Sequence, residues 1–176
     1  MASPTPPAAG PPSFVVRTAV NAPVARVMQA FFSHTDLAYW WQAERSVTVA
    51  RLSGPYAITW PTSASRDDLL GQLGGTLHGT VVDYTPERAL FVADVYWQPP
   101  AGEPLGPMAL EITCQPDSDP QQTRVTVRQS ASDEGPRWHR YFALTEHGWR
   151  AALATLKDYL ENEWLYRVHT IKQAKP

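Results

Sequence analysis

Apolar and polar positions alternate through most of the middle of this chain, and that alternation predicts strands. LHGTVVDY and ALFVADVYW are two such runs joined by TPER, the signature of a hairpin. MALEITCQ puts Met108, Leu110, Ile112 and Cys114 on one face. After the turn PDSDPQQ, TRVTVRQS puts Val125, Val127 and Gln129 on one face and Arg124, Thr126 and Arg128 on the other. Phe14–Asn21 is rich in β-branched residues and reads as the first strand, with two more at Arg45–Arg51 and Pro55–Trp60 around LSGP. Strands that follow one another through short turns form an antiparallel meander.

Helical spacing appears at both ends of that meander. Val24, Val27, Met28 and Phe31 recur every three or four residues, with Asn21 as a candidate cap and Pro23 in the first turn. HTDLAYWW predicts a second short helix, capped near Thr35 or Asp36. From Pro136 onward, Trp138, Phe142, Thr145, Trp149, Ala152, Leu156, Leu160 and Glu163 form one stripe. Gly148 inside it costs about 1 kcal/mol relative to alanine. One long helix in which Trp149 needs that space and two helices meeting at His147–Gly148 both fit. TSASRDDLLGQLGG reads as a polar loop with little to pack, and no clear element follows Trp164. A sheet with one apolar face beside a helix with one apolar stripe buries both by curling around the helix, an α+β arrangement.

Composition narrows the picture. A balance of 43% hydrophobic and 18% charged residues belongs to a globular domain. The prolines of SPTPPAAGPP predict a disordered, polyproline-like tail over 1–12, then a domain over 13–166 and a C-terminal tail over 167–176. Net charge is −2 and no basic block exceeds two residues, so nucleic acid and acidic membranes find no electrostatic handle. No apolar run is long enough for membrane insertion, and no signal-peptide pattern opens the chain. The single cysteine, Cys114, reads as a small buried hydrophobe and fits a cytoplasmic location.

Three segments carry a family likeness: VNAPVARVMQAFFSHTDLAYWW, GGTLHGTVVDYTPERALFVADVYW and HGWRAALATLKDYLE. In this order they resemble the activator-of-heat-shock-protein-90-ATPase-like branch of the START-like superfamily, which also holds the polyketide cyclases and dehydrases. The resemblance spans roughly Ser13 to Tyr166 and implies a helix-grip (START-like) fold. It implies a role among carriers of hydrophobic molecules, cyclase-type enzymes and co-chaperone domains, without choosing between them. The matched residues are architectural, and no catalytic motif comes with them.

Candidate chemistry is sparse. The five histidines show no i, i+4 pair and one cysteine cannot build a zinc cluster, so no metal or other cofactor is expected. The leading expectation is a cavity between sheet and helix that takes a hydrophobic small molecule. Trp138, Phe142 and Trp149 on the helical stripe would line it, Gln129 would orient the ligand, and Trp40 and Trp41 would frame the mouth or pin the short helices. Strict alternation puts His78 on one row of the central hairpin with Leu90, Val92, Asp94 and Tyr96 across from it. If that row faces inward, His78, Asp94 and Tyr96 join the site, and His78, Asp94 or Glu146 would supply acid–base groups to an enzyme. If it faces solvent, they need no explanation. Apolar residues on both rows also predict a homodimer or a loop covering Phe91 or Trp97.

Overall fold

The computed structural model describes residues 10–173, with side chains through Glu163. The first nine residues of the proline-rich tail fall outside the described residues. The chain forms β1 (Ser13–Val20), α1 (Val24–Ala30), α2 (His34–Trp40), β2 (Arg45–Thr48) and β3 (Pro55–Trp60). A two-residue ladder follows, β4 (Arg66–Asp67) and β5 (Gly71–Gln72). Then come β6 (Gly75–Thr85), β7 (Ala89–Gln98), β8 (Leu105–Pro116), β9 (Thr123–Ala131) and α3 (Pro136–Gln173). Seven strands make one antiparallel sheet in the order β1-β9-β8-β7-β6-β3-β2. The predicted α+β helix-grip architecture is the observed one: the sheet's apolar face holds α3, and α1 and α2 close one end.

α3 is a single unbroken helix, which decides between the two readings of its stripe. Trp138, Phe142, Trp149, Ala152, Leu156 and Leu160 are all buried. Gly148 is not there to make room. It is exposed, and a Cβ built on it meets nothing within 4 Å. The helix also continues to Gln173, so the segment after Trp164, expected to carry no clear element and to become a tail at 167, is helical to that point.

Two local predictions need correction. Asn21 does not cap α1, whose N-cap is Pro23 with no side-chain bond. α2 is capped two or three residues earlier than expected, by Ser33, whose Oγ accepts from Asp36 N at 3.3 Å. The 61–74 segment also packs more than its polarity suggested. Asp67 Oδ1 accepts the N–H groups of Leu69 and Leu70, which turns Leu70 into the core at 5% exposure. Asp67 Oδ2 takes Arg140 Nε of α3 at 2.7 Å, and this bond holds the Asp67 carboxyl below the usual carboxylate range.

The central hairpin departs from strict alternation at one residue. Asp94 lies in the left-handed region at φ 50, a conformation that aspartate tolerates better than most residues, and forms a bulge in β7. The bulge exchanges the two faces. Leu90 and Val92 point inward before it, and Val95 and Trp97 point inward after it. The inner face therefore takes Leu90 and Val92 from one regular row and Val95 and Trp97 from the other, and stays apolar across the bulge. Gly79 of β6 is the counterpart. A Cβ there would lie 2.8 Å from Ala93 O and 2.8 Å from Val92 Cγ1, so the bulged strand crosses where only glycine fits.

The two glycines therefore respond oppositely to alanine. Gly79→Ala is expected to destabilise by about 1–3 kcal/mol through overpacking. Gly148→Ala is expected to stabilise by about 0.5–1 kcal/mol through helix propensity. Urea denaturation of both variants checks the pair, and equal shifts of the same sign would refute this reading.

Candidate functional site

α3 is not equidistant from the strands it faces. It lies closest to β1 and α2, and Phe142 meets Phe14 of β1 at a ring separation of 5.7 Å. Towards β3, β6 and β7 the interval is bridged by large rings. Tyr141 meets Trp97 at 5.2 Å, and Trp149 meets Trp41 at 4.5 Å, which in turn meets Trp60 at 5.0 Å. Trp138 and Phe142 continue this wall towards the start of the helix, 6.4 Å apart.

Indole N–H groups buried in such a wall need acceptors. Trp40 donates to Ala30 O at 2.9 Å, Trp60 to Trp41 O at 2.9 Å and Trp97 to Gly74 O at 2.8 Å. Trp149 differs, because its Nε1 donates to a side chain, Gln129 Oε1, at 3.3 Å. Gln129 is fully buried on β9, on the inward row with Val125 and Val127. Its Nε2 faces Met108 Sδ at 3.4 Å, a weak acceptor. Burial pushes the Tyr141 hydroxyl up to about 12, against the opposing hydrogen bonds with Thr145 and Gln129. The amide expected to orient a ligand has partners within the chain. Here Trp149, Met108 and Tyr141 supply partners, and no buried side-chain nitrogen or oxygen among the described residues lacks one. The bond to Trp149 is long for N–H···O, and sulfur is a weak acceptor.

Of the residues singled out in the sequence, Trp138, Phe142, Trp149 and Gln129 are all buried on the inner side; Trp138 lies beside Phe142 and Trp149 is bonded to Gln129. Trp40 is buried behind them, packed edge-on against Phe31 at 5.2 Å, and so pins the short helices. Its stacked neighbour Trp41 is the one that reaches α3. The row bearing His78 faces away from α3. His78 and Asp94 are exposed and Tyr96 is half-buried. His78 pairs in register with Tyr96, ring to ring at 5.9 Å, while the bulge takes Asp94 out of line. Glu146 is bound to Arg150 on α3. These acid–base candidates do not converge. Trp97 is buried by its own chain and needs no partner copy, while Phe91 is half-buried on the outer face.

Comparison with known proteins agrees with this architecture. Residues 21–161 match the family model described as activator of Hsp90 ATPase homolog 1-like protein. The chain belongs to that family. No curated protein matches it. Among solved structures, protein CV1439 from Chromobacterium violaceum is similar at 21% identity and a TM-score of 0.62, covering 86% of this chain and 99% of that one. Protein MLL2253 from Mesorhizobium loti is similar at 18% identity and 0.63, covering 86% and 98%. The Aha1 dimer from Colwellia psychrerythraea is similar at 19% identity and 0.58, covering 85% and 96%. At these identities the likeness is one of fold.

In this activator of Hsp90 ATPase homolog 1-like chain the far half of α3 is fastened by charge rather than by rings. Arg26 of α1 forks onto Asp36 of α2 at 2.8 and 2.9 Å and onto Glu163 of α3 at 3.0 and 3.1 Å. Tyr159 OH donates to Asp36 Oδ1 at 2.7 Å. Sequence reasoning passed over this cluster. Its only signal was an arginine and an aspartate within otherwise apolar short helices. Burial alone would raise the Asp36 carboxyl, but hydrogen bonds from Arg26 and Tyr159 outweigh it and hold the group below the usual carboxylate range. No group of histidine, cysteine, aspartate and glutamate among the described residues is arranged to hold a metal ion. No helix among them is long and apolar enough to cross a membrane.

A depressed folded-state pKa contributes stability that is complete above the unfolded value, about 4, and is lost as pH falls through the folded value. Asp36→Asn is therefore expected to lower stability at neutral pH by about 1.5–3 kcal/mol and to flatten the loss of stability on acidification below about pH 4. Denaturant titrations across pH check both. An acid limb of unchanged slope in the variant would contradict the assignment.

Proposed function

We propose that this chain binds a hydrophobic, partly aromatic small molecule between α3 and the far strands of the sheet. Family membership is compatible with a ligand-binding or a co-chaperone-like domain. The observation that favours a ligand is Gln129. It is a fully buried amide in an aromatic wall, partnered by Trp149 at 3.3 Å, by the Met108 sulfur at 3.4 Å and by the Tyr141 hydroxyl. Burying an amide is costly unless its hydrogen bonds are good, and sulfur is a weak acceptor. A ligand carbonyl or carboxylate entering beside Trp149 would offer the amide and the indole better partners. Trp138, Phe142 and Trp149 would supply the flat apolar walls that such sites use.

The second reading, a protein-interaction domain, rests on a different place. A groove of about 260 Å³ opens where α1 meets the β6–β7 turn, lined by Met28, Phe32, Ala50, Tyr84 and Pro86 among others. Leu52 and Val82 are exposed at 61% and 45%. A homodimer, the assembly named for the Colwellia psychrerythraea protein, belongs with this reading.

Tryptophan fluorescence distinguishes the two. Titration with hydrophobic carboxylates, aromatic polyketides and fatty acids is expected to yield at least one compound that changes emission and raises Tm. Gln129→Leu is expected to weaken that compound at least tenfold, about 1.4 kcal/mol, while changing stability by less than about 2 kcal/mol. A panel that leaves wild-type emission and Tm unchanged would overturn the ligand reading.

A further inference from the structure

β1 is an outer strand, with β9 on one side and no strand on the other. Its eight residues, SFVVRTAV, include no proline and one charge. Such an edge is a template for another chain's strand unless something closes it. The opposite edge is protected differently. β2 has four residues and stands behind α2, where His34 Nδ1 lies 3.1 Å from Ser46 Oγ and Thr48 Oγ1 donates to Phe32 O at 2.6 Å.

β1 is met instead by two side chains of α3. Lys157 Nζ donates to Ala19 O at 2.9 Å, and Glu161 Oε1 accepts from Asn21 N at 2.9 Å. The same Oε1 takes Lys157 Nζ at 2.5 Å. Lysine has only donors and an ionised glutamate only acceptors, so a donor faces the carbonyl and an acceptor faces the amide, as a neighbouring strand would arrange them. The spacing also agrees. Four helical residues advance about 6 Å, and two strand residues advance about 6.5 Å. Positions i and i+4 of a helix lying along a strand therefore meet groups two residues apart. An i, i+4 ion pair that only supports its helix has no need of this contact. Glu146–Arg150, earlier on α3, is such a pair, its bond at 2.6 Å on an outward face.

We propose that Lys157 and Glu161 act as a surrogate strand that closes the end of the β1 edge, and that the partner they exclude is β1 of a second copy of this chain. Antiparallel pairing of one edge with itself is isologous, so every copy carries its own complement and no other partner need be present.

The test is the charge-swapped variant Lys157→Glu/Glu161→Lys. It keeps an i, i+4 ion pair on α3 but sets a carboxylate against the Ala19 carbonyl and an ammonium against the Asn21 N–H. Amide exchange at Asn21 is expected to accelerate at least tenfold. Sedimentation across a concentration series is expected to show more self-association than wild type. The control swap Glu146→Arg/Arg150→Glu should leave both unchanged, and Glu161→Gln, which keeps an acceptor, should keep Asn21 within about threefold of wild-type exchange. If the charge swap does not melt cooperatively, Glu161→Ala is read by the same two measurements. Wild-type protection at Asn21, wild-type sedimentation, or an equal response from the control would each overturn the proposal.

Discussion

A straight helix cannot touch every strand of a curved sheet equally, and much of this structure follows from how that mismatch is filled. α3 lies against β1, where a phenylalanine pair suffices. On the far side Trp41, Trp60, Trp97, Tyr141 and Trp149 are needed to bridge the interval. Aromatic side chains bury the most area per residue, but each indole brings an N–H that must be answered inside the core. Three of the four indoles with a hydrogen-bond acceptor use backbone carbonyls at element ends, and Trp149, mid-helix and facing mid-strand, uses Gln129. The buried amide of Gln129 thus has a structural reason.

The two halves of α3 are held by different physics. Near its start the helix is fixed by rings and by the Asp67–Arg140 bond from the 61–74 segment. Farther along, Lys157, Tyr159, Glu161 and Glu163 reach β1, Asn21, Arg26 and Asp36. The ring contacts depend little on salt or pH, while the Asp67–Arg140 bond and the contacts of the far half depend on charged carboxylates.

Strands, helices and their order were legible in the sequence because period two and period three to four survive wherever one face is buried. What was not legible came from single residues acting on backbone or from pairing across the chain. Asp94 changed the facing of a strand by adopting one left-handed conformation, which no alternation count registers. Asp67 turned Leu70 inward from a segment that reads as polar. Arg26 and Glu163 are 137 residues apart, and neither carries a local signal of the other. The inward facing of Trp138, Phe142, Trp149 and Gln129 was legible from periodicity alone. His78, Asp94 and Tyr96 lay on a row whose direction the sequence left open.

The bond between Trp149 and Gln129 joins the packing account to the functional one, and the indole region of a proton–nitrogen NMR spectrum observes it directly. Wild type is expected to show slowly exchanging indole protons for Trp40, Trp97 and Trp149. Gln129→Leu should move and deprotect the Trp149 signal while leaving those of Trp40 and Trp97 in place. A Trp149 indole that exchanges with solvent as quickly as an exposed one, or that does not move when Gln129 is replaced, would contradict the arrangement on which the site depends.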